Sequence, residues 1–223
     1  MRILCIGSMY PPHHLGGYEL VWQAAVEHLR RGRHAVRVVC SDHREAGAED
    51  VAEPGVHRDL RWYWRDHAFP RLGLRGVLGL ERANAATFDR HVEDFAPDVL
   101  AWWAMGGMSL ALLERGRRRR IPAVAFVNDD WLIYGPRVDA WQRLAGRPWV
   151  PRRLLERATG LPARFDPAGC DLVVFASESI RRAAADRWRL PPTEVAYGGI
   201  DPGFLAGPPG ADDWSWRLLY VGR

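Results

Sequence analysis

The chain contains no lysine: all 31 of its basic residues are arginine. Schiff-base enzymes and the lysine of a phosphate-binding P-loop are therefore excluded. An arginine-only basic set reads most simply as a coding bias. Cysteine is scarce too. Cys5, Cys40 and Cys170 each lie in or at the edge of an apolar run and show no metal-like spacing, so they read as buried, reduced thiols. No stretch reaches the ~18 apolar residues of a membrane span, and the first apolar run is too short for a secretory signal. A cytoplasmic location is the expectation. The spaced-glycine fingerprint of dinucleotide enzymes is also missing, which disfavours a nicotinamide-dependent activity.

What is present suits a folded protein. Over 223 residues, 48% are hydrophobic and 26% charged, enough for a sizeable core. The net charge of +4 is mild and gives at most a weak preference for anionic partners. No nucleic-acid partner is expected.

The N-terminus reads as strand, loop and helix. Ile3 to Ile6 is a short apolar run, Gly16-Gly17 closes a loop that begins at Gly7, and a helical pattern runs from Tyr18 to Arg31. Glycines there allow φ > 0 or close approach of a ligand to the main chain, and a helix N-terminus favours an anion. The spacing puts Val21, Ala24, Ala25 and His28 on one helical face, with Gly32 beyond the end. Ala35 to Cys40 then reads as a buried parallel strand, completing a βαβ unit.

Residues 41–70 are irregular and carry the cluster Arg61-Trp62-Tyr63-Trp64-Arg65, which either feeds the core or an edge or stacks on a sugar or base. A long helix is expected from Gly76 to Phe95, ending before Pro97. A strand from Asp98 to Trp103 precedes Gly106-Gly107 and a helix through Leu113 that closes on Arg115, Arg117, Arg118, Arg119 and Arg120. That run is either a solvated helix end or a patch for an anionic membrane surface. Pro122 to Val127 reads as a strand that delivers Asn128, Asp129, Asp130 and Trp131 at its carboxyl end, where ligands of open α/β sheets bind. The two acids either act there or cap the next segment. Residues 132–161 are rich in Trp, Arg and Pro, with Trp141 and Trp149 as candidate acceptor-side walls. Asp171 to Ala176 is a further strand, a helix follows from Glu178 to Arg187, and Glu194 to Tyr197 is a last short strand.

The domain boundaries expected are 1–205 for a Rossmann-like unit, 206–216 for a linker rich in glycine and proline, and 217–223 for the first strand of a truncated second domain. An apolar strand with nothing after it would be an exposed edge, so the expectation is a fragment of a longer protein.

Four ordered segments carry a resemblance: Tyr10-Pro11-Pro12 with Gly16-Gly17 and Glu19; Arg31-Gly32-Arg33-His34-Ala35-Val36; Val173-Val174-Phe175-Ala176-Ser177-Glu178; and Tyr197-Gly198-Gly199-Ile200-Asp201 before Leu218-Leu219-Tyr220-Val221-Gly222-Arg223. In order and spacing they resemble the retaining glycosyltransferases of family 4, whose GT-B fold has two Rossmann-like domains. The resemblance implies the acceptor-side half of a hexosyl- or glycosyltransferase of carbohydrate biosynthesis, moving a sugar from a nucleotide-diphosphate-sugar to a glycan, lipid-linked or small-molecule acceptor. Gly16, Gly17 and Arg223 would meet the donor diphosphate, a role for which a guanidinium is well suited, with no metal or other cofactor. Asn128, Asp129 and Asp130 stand where the family often shows His-Asp and are the catalytic candidates. His13, His14, Glu19 and Trp131 are acceptor-side candidates. Adjacent histidines without a partnering motif do not suggest a zinc site.

The expectation is that the chain alone is inactive, because the donor-binding glutamates and lysine of that family belong to a C-terminal domain absent here. An alternative is a stand-alone carbohydrate- or glycolipid-binding module using the tryptophan-rich surface, with peripheral membrane contact.

Overall fold

A computed structural model describes residues 1–49, 52–65 and 67–199. The expected linker at 206–216, the strand at 217–223 and Arg223 itself lie outside the described residues. Strand β1 (Arg2–Ile6) leads into helix α1 (Gly17–Arg31), strand β2 (Ala35–Ser41) and strand β3 (Val56–Leu60). Helix α2 (Leu74–Phe95), strand β4 (Val99–Trp102), helix α3 (Ala111–Arg118) and strand β5 (Ala123–Val127) follow. Three short helices come next, α4 (Trp131–Val138), α5 (Ala140–Ala145) and α6 (Arg152–Thr159). Strand β6 (Leu172–Phe175), helix α7 (Glu178–Ala185) and strand β7 (Thr193–Val195) complete the order.

Among the described residues, seven strands form one parallel sheet in the order β3-β2-β1-β4-β5-β6-β7. This is the expected Rossmann-like α/β architecture, with its strand order reversing between β1 and β4. Period-two alternation along β1 sends Ile3 and Cys5 to the α1 side, and Leu4 and Ile6 to the other side. Both faces are apolar, as parallel sheets require. Removing the wholly buried Leu4 side chain would cost about 2–5 kcal/mol.

On the α1 side, Trp22, Trp103 and Phe126 stack in sequence at 5.9 and 4.1 Å, and Tyr10 meets Trp22 edge-on at 5.0 Å. This stack corrects the helical face expected for α1. Val21 is exposed, as are Ala24 and His28, whereas Trp22 and Val26 are fully buried. The buried stripe is turned by one residue because Trp22 seats its indole between Tyr10 and Trp103.

Helix α2 ends where Ala96 adopts φ 45° before Pro97, since the residue before proline is steered away from the α region. Most of the basic run after Leu113 is paired with carboxylates. Arg115 and Arg119 pair with Asp89 of α2, Arg119 reaches Glu93 at 3.1 Å, Arg117 and Arg118 pair with Glu114, and Arg118 also reaches Glu156 at 2.9 Å. No helix among the described residues is long and apolar enough to cross a membrane.

Candidate functional site

The carboxyl ends of β1, β3, β4 and β5 feed loops into one cavity of about 410 Å³, at the point where the strand order reverses. Open α/β sheets bind ligands at such a switch point. Ser8 comes from the loop after β1, Gly16 and Gly17 from the start of α1, Trp62 and Trp64 from the loop after β3, Gly106 from the loop after β4, and Asn128, Asp129 and Tyr134 from beyond β5.

The glycine pair works by space rather than by unusual backbone. Gly16 is extended at φ −152°, and neither glycine has positive φ. A Cβ on Gly17 would meet nothing within 4 Å. As N-cap, Gly16 supplies no side-chain acceptor to the first turn of α1, so those N–H groups and the helix dipole stand available to an anion. Glu19 reaches back from the first turn and accepts the Gly16 N–H at 3.1 Å. It is a buried carboxylate that fixes the loop, and burial raises its pKa above the usual range.

Asp129 is the better placed of the two acids. It lines the cavity, accepting the Trp131 N–H and the Tyr134 hydroxyl, each at 3.0 Å. Burial raises its pKa, and these two bonds oppose the rise. Asp130 is exposed and outside the lining; its carbonyl accepts from Ile133 and Tyr134 at the start of α4.

Several expected contacts do not form. Trp131 is fully buried, donating its indole N–H to the Phe126 carbonyl at 3.3 Å, so it packs the core instead of meeting an acceptor. Trp141 is also fully buried, donating to the Pro162 carbonyl at 2.7 Å within an apolar cluster that includes Val77 and Leu161. Trp149 is 72% exposed and does not line the cavity. His13 is buried and accepts the Glu45 N–H at 3.2 Å, while half-buried His14 bonds the Pro12 carbonyl at 3.1 Å; neither lines the cavity.

Other residues in the site escaped the sequence reading. Tyr18 accepts the Ala104 N–H at 2.9 Å and donates to the Phe126 carbonyl, tying the β4 and β5 ends together. Tyr134 sits so close to Gly106 that a Cβ there would overlap its hydroxyl. Gly107 has φ 74°, and a Cβ on it would meet Phe69 at 2.7 Å. The Gly-Gly pair after β4 was visible as a break, but its tie to Tyr134 was not. Of the aromatic cluster, Tyr63 is buried away from the cavity, whereas half-buried Trp64 lines it beside Trp62 at 4.8 Å.

One group with metal-ligand chemistry also escaped notice. His57, Asp59 and His91 bring their donor atoms within 4.8 Å of one another between β3 and α2. His91 Nε2 lies 3.0 Å from Asp59, its Nδ1 lies 3.3 Å from an Arg37 nitrogen, and Arg90 pairs with Asp59 at 2.8 Å. Arg37 can only donate, so His91 is the Nε2–H tautomer, donating to Asp59. Both its ring nitrogens are engaged and two guanidiniums stand by, so the cluster fastens the edge strand to α2 and is a poor cation seat.

The fold is shared with known proteins. Over 93% of its length the chain resembles sucrose-phosphate synthase from Thermosynechococcus elongatus, with TM-score 0.51 and 14% identity, covering 53% of that chain. It also resembles UDP-GlcNAc 2-epimerase from Neisseria meningitidis at TM-score 0.47 and 14% identity, over 83% of this chain and 43% of that one. It is 25% identical over 145 residues to an uncharacterized 42.6 kDa protein in the cps region of Klebsiella pneumoniae, an overlap of 60% of this chain and 38% of the relative. The chain thus spans about half or less of the length of these three proteins. A family model described as Glycosyltransferase Family 4 matches residues 15–204, from the glycine loop to beyond the last strand, and the chain belongs to that family.

Proposed function

We propose that this chain forms the acceptor side and the diphosphate end of the active site of a retaining glycosyltransferase, one that moves a sugar from a nucleotide-diphosphate-sugar to a hydroxyl acceptor. The observation that carries this reading is the meeting of the uncapped α1 N-terminus and the Asp129–Tyr134 pair in one cavity at the switch point. The leaving diphosphate gains charge as the glycosidic bond breaks, and fixed N–H dipoles aimed at that charge stabilise it without reorganising. Gly17 leaves the space for the phosphate oxygens to approach the main chain.

Asp129 serves the other end of the reaction. A carboxylate with a pKa raised by burial is a strong hydrogen-bond acceptor when ionised, and it is suited to orient the acceptor hydroxyl, whose proton the leaving diphosphate takes up on the face it departs from, so that the configuration is retained. Trp64 offers a ring face to a sugar. On this reading the nucleotide is held by a second Rossmann-like body of the whole protein, and the chain alone turns over little donor. Arg223 would then reach the diphosphate from that side, and the reaction would need no metal.

The test is transfer by the whole protein, using a panel of nucleotide sugars and hydroxyl acceptors, with the product's anomeric configuration read by NMR. Transfer with retention is expected; the absence of both transfer and donor hydrolysis would overturn the proposal. Trp62, Trp64 and Phe69 around the cavity also suit a glycan-binding module. Calorimetry of the 223-residue chain decides that reading, since a self-sufficient module binds glycan tightly without a second domain.

A further inference from the structure

A second, larger cavity of about 580 Å³ shares no lining residue with the first. It is bounded by α5, the start of α6, the loop before β6 and the turn after α7, and its volume is that of a small-molecule pocket. Arg152, Arg164, Arg187 and Arg189 line it, together with Phe165 and Trp188.

The charge there is unbalanced. Asp166 is the one acid in the lining, and it is occupied: it accepts from Arg164 at 2.6 Å and from the Ala168 N–H at 3.1 Å. Arg152 spends its Nε–H on the Ala145 carbonyl at 2.9 Å, not on a carboxylate. Among the described residues, Arg187 and Arg189 have neither ion pair nor hydrogen bond from their side chains. The basic run of α3 behaves differently, since most of its guanidiniums have carboxylate partners.

The rest of the wall is built to hold something. Trp188 donates its indole N–H to the Leu132 carbonyl at 2.9 Å and meets Phe165 edge-on at 5.4 Å, so its ring is fixed while remaining half-buried. Gln142 also lines the cavity, and its buried Nε2 has no hydrogen-bond partner. A buried unpaired amide is costly in a native structure. Three unbalanced positive charges, an orphaned donor and a fixed aromatic face match an anion of two or more charges attached to an apolar or ring-bearing body.

We infer that this cavity is a binding site for a phosphate-bearing ligand, distinct from the switch-point site, in which the arginines hold the phosphate or diphosphate group and Trp188 and Phe165 hold the apolar part. The source is either a free phosphorylated metabolite or the headgroup of an anionic lipid. Exposed Trp149, with the Arg147 guanidinium 5.6 Å from its ring, lies in the segment leading to Arg152 and would serve the second.

The experiment titrates the 223-residue chain with inorganic pyrophosphate by calorimetry, and in parallel measures its co-sedimentation with phosphatidylcholine vesicles, with and without phosphatidic acid. The comparison proteins are R187A/R189A, in which both changed residues are exposed, and R182A, which removes an exposed arginine outside the cavity. Circular dichroism confirms that each variant folds. Saturable pyrophosphate binding that R187A/R189A weakens by about tenfold or more, and R182A leaves intact, is the expected result for a free ligand. Binding only to the phosphatidic acid vesicles, with the same dependence on Arg187 and Arg189, assigns the site to a lipid headgroup. No binding in either arm overturns the inference, as does binding that the folded R187A/R189A variant retains or that R182A reduces equally.

Discussion

The Tyr134 hydroxyl donates to Asp129 Oδ2 at 3.0 Å, joining the loop after β5 to the first half of α4 at the wall of the switch-point cavity. The bond favours the ionised form of Asp129 against a burial that opposes it. Tyr134→Phe removes that support while keeping the ring. In the whole protein kcat/KM should fall about ten- to a hundredfold, the range for a hydrogen bond to a charged group. The pH profile gives the sign. If Asp129 acts ionised, the acid limb lies above the ordinary carboxylate range, and Tyr134→Phe moves it higher. An acid limb that stays in place would remove Asp129 from the chemistry.

Gly17 and Gly106 separate ligand space from packing space. A Cβ on Gly17 meets nothing, so Gly17→Ala should keep the melting temperature of the parent while weakening the donor's diphosphate contact. A Cβ on Gly106 overlaps Tyr134, so Gly106→Ala should destabilise the fold by about 1–3 kcal/mol, as overpacking does. Thermal unfolding and donor binding measured on both variants check this. Full donor affinity in Gly17→Ala would take the glycine loop out of the phosphate site.

The parts of this fold that could be read from the sequence are those written in apolar runs: β1, β2, β4, β5 and β6 announce themselves because a parallel sheet is buried on both faces. Strand β3 did not. Its His57, Arg58 and Asp59 look like loop chemistry, yet Arg58 donates to the Tyr10 and Pro11 carbonyls at 2.9 and 2.7 Å, and His57 and Asp59 join His91 of α2. An edge strand can be polar when its side chains are tied down locally. The lining of the candidate site was legible where it follows from chain position, as at Gly16, Gly17 and Asp129. It was not legible at Trp131 and Tyr134, because helical phase decides which aromatic of a short helix turns inward. Proline at position 136 within that helix hid the phase. The same uncertainty put Trp141 on the wrong side of its helix.

Trp64 and Trp62 differ in what they can lose. Trp62 is buried and donates to the Gly106 carbonyl at 3.0 Å, so it holds the loop that carries Gly106 and Gly107. Trp64 is half-buried and packs on Trp62 and His43 at 4.8 and 5.5 Å. Trp64→Ala should therefore weaken binding of a sugar ligand by up to about tenfold, the worth of one aromatic contact, with a small change in stability. Trp62→Ala should lower stability by about 3–5 kcal/mol. Calorimetry with glycans and chemical denaturation of both variants distinguish these roles; equal glycan affinity in parent and Trp64→Ala would assign the aromatic cluster to packing alone.

Buried Glu81 gives the fold a dependence on pH. It accepts the Tyr63 hydroxyl at 2.7 Å and is 1% exposed. Burial, then the charge of Asp139, raises its pKa from 4.5 to about 8. Asp139, wholly buried and held by the N–H groups of Leu110 and Gln142, is itself raised to about 6 by burial. A carboxyl with a raised folded-state pKa keeps a proton that the unfolded chain releases. Its contribution is therefore full below pH 4.5 and is lost progressively as pH rises toward 8. Stability measured by urea denaturation should fall over that window. Glu81→Gln keeps a carbonyl oxygen for Tyr63 and cannot ionise, so its upper part of the slope, between about 6 and 8, should flatten, and above pH 8 the variant should be at least as stable as the parent. Below about pH 6 both carboxyls contribute, so there the variant's slope should be reduced to the share of Asp139 rather than abolished. If Glu81→Gln shows the parent's full slope between pH 6 and 8, the titrating group in that range is not Glu81.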